Sequence, residues 1–183
     1  MTTVYHLSDQ PGIELFEPRT GGYRFEAEPV VWAIDREHLP NYLFPRDCPR
    51  VTFVARRDSD PSDVERLMGT SDAKRVIAVE IAWYERIRDS RLYQYELGAK
   101  TFTMVDEIAG YLISREPVVP VSEREIGDIL GELLTHDVEL RFLPSLWKLR
   151  EAVIHSTLEF SIIRMRNAQP PEEGYEAYYP LPT

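Results

Sequence analysis

A chain of 183 residues is long enough for one well-cored domain and too short for two of ordinary size, and its 43% hydrophobic, 28% charged and 11% aromatic content is that of a globular protein in water. A formal net charge of -10 argues against non-specific binding to nucleic acid or anionic membrane, both of which need clustered cations. No apolar run approaches the roughly 18 residues of a membrane span and no basic, then apolar, leader opens the chain, so the expected location is the cytoplasm.

Strands are predicted at 4–8, 30–34, 51–55, 76–81, 92–97, 110–114 and 138–142, each rich in β-branched or aromatic residues and closed by Gly, Pro, Asp or Ser. In the first, Tyr5 and Leu7 share one face while His6 and Ser8 share the other. The run from Val76 to Val79 is apolar on both faces and reads as a central, covered strand. Asp35 is placed to cap a turn that Pro40 breaks or restarts. Ser62 to Glu65 forms a capping box for a short helix ended by Gly69. Ser122 to Glu125 forms another, followed by Ile126, Ile129, Leu130, Leu133 and Leu134 at helical spacing. A long helix is expected to open at Pro144 or Ser145 and to run to Met165, with Leu146, Leu149, Val153, Leu158 and Ile162 as its packing stripe.

Neither strict strand–helix alternation nor an all-strand order results. The expected fold is α+β, with a mixed, largely antiparallel sheet, open to being split, and a long C-terminal helix over residues 1–168. Residues 169–183, rich in proline and tyrosine, form an extended tail that either wraps its own domain or reaches a second subunit.

The polar pair His6 and Ser8 on a first strand calls for a ligand or a partner. Pro45-Arg46-Asp47-Cys48-Pro49-Arg50 supplies two guanidiniums on a proline-held backbone, a pattern suited to a phosphate or carboxylate. Cys48, the only cysteine, is either a nucleophile activated by those arginines or a small buried turn residue. Asp35, Glu37 and His38 carry ligating atoms, but a structural metal site wants about four ligands and no second cluster follows, so a surface turn is preferred and no metal is expected. His136 reads as a helix-end cap and His155 as a residue packed within the long helix. Trp32, Trp83 and Trp147 read as core or rim aromatics. Dinucleotide, P-loop, nucleophile-elbow and HExxH signatures are absent.

Tyr5-His6-Leu7-Ser8-Asp9, Val31-Trp32-Ala33-Ile34-Asp35, His38-Leu39-Pro40, Phe44 to Arg50, Pro144-Ser145-Leu146-Trp147 and Ile163 to Ala168 together resemble a small bacterial family of unknown function over nearly the whole chain. More distantly, Tyr5-His6-Leu7-Ser8 is similar to the first-strand motif of the ADP-ribosyltransferase-like fold. That similarity implies NAD as the cofactor, with His6 and Ser8 on the nicotinamide ribose and amide. It places Trp32 where the fold has a tyrosine and Gly110 where it has a glutamate, so that Asp106 or Glu107 would have to substitute. The ligand-binding set is then His6, Ser8, Trp32, Arg46, Arg50 and Tyr111, around a nucleotide or another phosphate-bearing small molecule. The rival reading is a non-enzymatic binding or assembly protein, with Arg46 and Arg50 structural and the tail seated on a second copy.

Overall fold

The computed structural model describes residues 2–20 and 28–171. In chain order its elements are β1 (Thr3–Ser8), β2 (Val31–Ile34), β3 (Arg50–Val54), α1 (Pro61–Met68), β4 (Arg75–Glu80), α2 (Tyr84–Asp89), β5 (Leu92–Gly98), β6 (Thr103–Asp106), β7 (Tyr111–Ser114), β8 (Ser122–Ile126), α3 (Ile129–Leu134), β9 (Val138–Leu143), α4 (Trp147–Ile154) and β10 (Glu159–Ile163). Short 3₁₀ turns at Leu39–Tyr42, Ile81–Trp83, Ala99–Thr101 and Met165–Asn167 join some of them. The fold is α+β, and the strands form two sheets within two compact units.

Among the described residues, the first unit comprises 2–20, 28–43 and 91–127. It is a six-stranded sheet in the order β6-β7-β2-β1-β5-β8, with every neighbouring pair antiparallel. One face carries the core: Val4, Val31, Ala33, Tyr95, Leu97 and Leu112 pack with Phe16 and Val118 from the flanking segments. Tyr95 anchors the segment after β1, its hydroxyl donating to the carbonyl of Gln10 at 2.8 Å and accepting from the amide of Ile13 at 3.1 Å. A buried tyrosine hydroxyl with both bonds made adds apolar burial without an unsatisfied polar atom.

Among the described residues, the second unit comprises 44–90 and 128–171. Its four-stranded sheet runs β10-β3-β4-β9, antiparallel except for the parallel β4/β9 pair. Central β4 is buried along its whole length, as its two-sided apolar sequence predicts. Val51, Phe53, Val76 and Ala78 share one face and pack with Leu67 and Met68 of α1 and with Trp147 and Val153 of α4. Asp60 caps α1 by accepting from the amide of Ser62 at 2.8 Å, and Gly69 ends that helix at φ 61°.

Two predicted helices are corrected. Ser122 to Ile126 is the edge strand β8, because four consecutive polar side chains leave it no apolar helical face while β5 offers an open edge to pair with. The helix begins only at Ile129, capped by Asp128, whose carboxylate accepts from the amide of Gly131 at 2.9 Å. The long C-terminal helix is a helix of eight residues followed by a strand. Ser156 closes it by donating to the carbonyl of Val153 at 2.7 Å, and Thr157 is held at Asp63 through both its amide and its hydroxyl. Residues 159–163 then pair with β3. The stripe that suggested one helix is two short apolar sets on consecutive elements. His155 accordingly lies at a helix end, exposed, with Nδ1 donating to the carbonyl of Glu151 at 2.8 Å. Strand β6 carried no strand signal in the sequence reading. Of the tail, residues 172–183 lie outside the described residues.

Candidate functional site

Cross-strand register decides which of the predicted ligand-binding residues share a surface. Tyr5 pairs with Ile34, Ile34 with Tyr111, and Trp32 with Ile113. Directly paired residues lie on one face, so Tyr5, Trp32, Ile34 and Tyr111 share a face. His6 pairs with Tyr95 and lies on the opposite, core-bearing face with Val4 and Ser8.

On that core-bearing face both polar groups already have work. The Nδ1 of His6 donates to the carbonyl of Trp32 at 2.8 Å, and its ring centroid lies 4.7 Å from that of Phe16. Ser8 is buried, and its hydroxyl accepts from the amide of Gln10 at 3.0 Å, closing the turn after β1.

On the other face aromatic rings gather. Tyr111 lies edge-on to Trp32 at 5.3 Å between centroids and tilted against Tyr42 at the same distance, and all three rings are half-buried. Tyr42 is fixed further by donating its hydroxyl to the carbonyl of Ala109 at 2.8 Å. At the same end of β2, the amide of Asp35 donates to the carbonyl of Gly110 at 3.0 Å. The Asp35 carboxylate accepts from the amide of His38 at 2.8 Å, and both its oxygens lie 2.9 Å from His38 Nδ1. The surface turn expected at this position is thus corrected: Asp35 and His38 are 6% and 5% exposed. Their burial depends on Gly110, at φ +69°, where a Cβ would stand 2.5 Å from the His38 ring. No side chain larger than hydrogen leaves room for that imidazole.

Charge follows from this geometry. Burial alone would push the Asp35 carboxyl up, but hydrogen bonds from the His38 ring and from the amides of His38 and Glu37 outweigh it and hold it below the usual carboxylate range. An ionised carboxylate only accepts, so Nδ1 of His38 carries a proton and donates it to Asp35. The Nε2 of the same ring is buried and has no hydrogen-bond partner among the described residues. A buried nitrogen left unpaired costs about 1–3 kcal/mol.

The arginines belong to the second unit and differ from one another. Arg50 is 4% exposed, donates from Nη1 to the carbonyl of Cys48 at 2.8 Å and lies over the Phe44 ring at 5.2 Å. Arg46 is exposed, and its carbonyl accepts from Nε of Arg164 at 3.3 Å. The Nδ2 of Asn167 donates to the carbonyl of Asp47 at 2.8 Å, so the two arginine-bearing segments of the sequence meet through main-chain carbonyls. Cys48 is fully buried, and burial pushes its thiol up to about 12 against the opposing pull of Arg50 and Arg86. The nucleophile reading of Cys48 is therefore corrected to that of a neutral packing residue. Among the described residues no group of three or more His, Cys, Asp or Glu could hold a metal ion, and no helix is long and apolar enough to cross a membrane.

The sequence offers Asp35 as a turn cap and, with Glu37 and His38, as a source of metal ligands, but gives no role to Tyr42. The legible signal was the spacing: an Asp at a strand end with a His three residues on, ahead of a proline-led turn, suits an Asx-type bond between them. Comparison with known proteins gives a family-level match, in which the model of a family of unknown function covers residues 5–168. No curated protein and no solved structure matches the chain.

Proposed function

We propose, for a chain that belongs to DUF6886, a family of unknown function, that its six-stranded unit binds a small nucleotide-type ligand on the sheet face carrying Trp32 and Tyr111. The observation that carries this reading is the juxtaposition of half-buried aromatic rings with a buried Asp–His pair whose outer ring nitrogen is unpaired. Aromatic faces take a planar base, and stacking of one base is worth about 1–3 kcal/mol. A polar group converging on an apolar surface orients what is stacked there. A ribose hydroxyl is a donor of the kind that a histidine lone pair accepts.

This reading keeps Trp32 and Tyr111 of the predicted ligand set. It moves the polar contact from His6 and Ser8, whose bonds serve the strand and its turn, to His38. It rests on the six-stranded unit alone. Titration calorimetry with ADP-ribose tests it: wild type should give a saturable isotherm, Trp32→Ala should weaken binding roughly 5- to 150-fold by the stacking energy, and His6→Ala should leave it near wild type. No heat from wild type with ADP-ribose or NAD at millimolar concentration overturns the reading.

A further inference from the structure

We propose that Asp35 and His38 form a general-base pair, in which Nε2 of His38 takes the proton of a hydroxyl group presented by a ligand or of a water molecule beside it. The inference deepens the ligand-binding reading above and rests on it for the identity of the ligand.

The pair has the parts this chemistry requires. A base must have a free lone pair, and the position of the Nδ1 proton determines whether Nε2 has one. Both Asp35 oxygens face Nδ1 at 2.9 Å, which keeps a proton on that nitrogen, so that the neutral form of the ring has its lone pair on Nε2. A base must also be held still. The amide of His38 is bound to Asp35, its carbonyl accepts from the amide of Asn41 at 3.0 Å, and its ring lies on Gly110. Finally, the charge that forms must be stabilised. In the transfer, the O–H bond of the donor breaks with its electron pair staying on oxygen, and an N–H bond forms at Nε2. The imidazolium so made lies against an Asp35 that remains ionised and is not itself protonated. The oxygen becomes the stronger nucleophile.

A purely structural Asp–His pair would account for the Nδ1 contacts. It does not account for a second ring nitrogen that is buried and unpaired when one more partner would satisfy it. Other charged groups on the same turn point elsewhere in function: Arg36 and Glu37 are exposed, and the Glu37 amide contributes to holding Asp35 ionised.

The test is carbethoxylation with diethyl pyrocarbonate, mapped by peptide mass spectrometry on the full chain, with exposed His155 as the internal standard for reagent. His38 should be modified, more slowly than exposed His155 because its ring is buried, by the path through which a ligand hydroxyl or a water would reach Nε2. Asp35→Asn should slow that modification several-fold relative to His155, since losing the carboxylate frees the proton to shift to Nε2. Nitrogen-15 imidazole spectra should show Nε2 unprotonated in wild type. An unmodified His38 in a folded protein whose His155 has fully reacted overturns the inference, as does a spectrum with the proton on Nε2. Protection of His38 by ADP-ribose supports both readings. Modification without protection supports the base and removes the nucleotide ligand, so the two fail separately. Should Asp35→Asn fail to fold, the wild-type spectrum and modification still decide.

Discussion

Gly110 and His38 are interlocked: the imidazole lies where the first carbon of any side chain at position 110 would have to stand, 2.5 Å from Cβ, Cγ and Nδ1. The glycine therefore serves two demands at once, a backbone at φ +69° and an open surface for a buried ring. Any side chain at this position would displace His38.

Gly12 provides the control for that relationship. It has the same φ of 69°, but a Cβ added there meets nothing within 4 Å. Gly12→Ala should cost only backbone strain, about 1–2 kcal/mol, whereas Gly110→Ala should add an overpacking cost of about 1–3 kcal/mol and displace His38. Urea denaturation of both variants measures the difference. Equal losses would show that the His38 contact adds nothing.

Asp35→Asn should destabilise the protein by about 1.5–3 kcal/mol at neutral pH, the range for bonds to a charged acceptor. The sign of its pH dependence follows from the depressed carboxyl. A folded value below the ordinary 3.8 means that the stabilisation is complete above 3.8 and is lost as pH falls through the folded value. Denaturation midpoints of wild type and variant should thus differ at pH 7 and converge only in acid below that value. A constant gap down to pH 2 would contradict the ionised assignment.

Glu80 should behave in the opposite sense. It is fully buried, and burial raises its carboxyl even though the amides of Gln169, 3.0 and 3.1 Å from its two oxygens, and of Leu146 bind it. The folded state then holds its proton more tightly than the unfolded chain, so stability from this group is greatest at low pH and declines as pH rises from the ordinary 4.5 through the folded value. Relative to Glu80→Gln, wild type should lose stability across that rise, as followed by thermal unfolding. A wild-type advantage that grows with pH would reverse the assignment.

Cys48 should resist iodoacetamide at pH 8 in the native protein and react fully in denaturant, because only the thiolate attacks and burial keeps the thiol protonated up to about 12. Mass spectrometry of the intact chain reads both states. Rapid native alkylation would show that the segment from Pro45 to Arg50 opens.

What the sequence by itself determined is local. Alternation and β-branched content located seven strands, and the two-sided apolar run of Val76 to Val79 marked the covered strand, because these signals reside in a few consecutive residues. Pairing did the rest. The segment from Glu159 to Ile163 has spacing compatible with a helix and became a strand because β3 offered it an edge, a partner no local pattern encodes. Likewise, Ser122 to Glu125 has the residues of a helix cap and became an edge beside β5.

The candidate site shows the same division. Trp32 was legible as a core or rim aromatic on one predicted strand and Tyr111 as a member of another, and Asp35 and His38 were visible as ligating atoms on a turn. Only the tertiary structure decided that His6 and Trp32 look to opposite faces, since one step of strand register reverses a side chain. Only it decided that the turn is buried, because that depends on a glycine from a distant strand pressing its bare α-carbon against the imidazole. Burial, in turn, is what makes an Asp–His pair on a loop into a histidine with one fixed proton and one unpaired nitrogen.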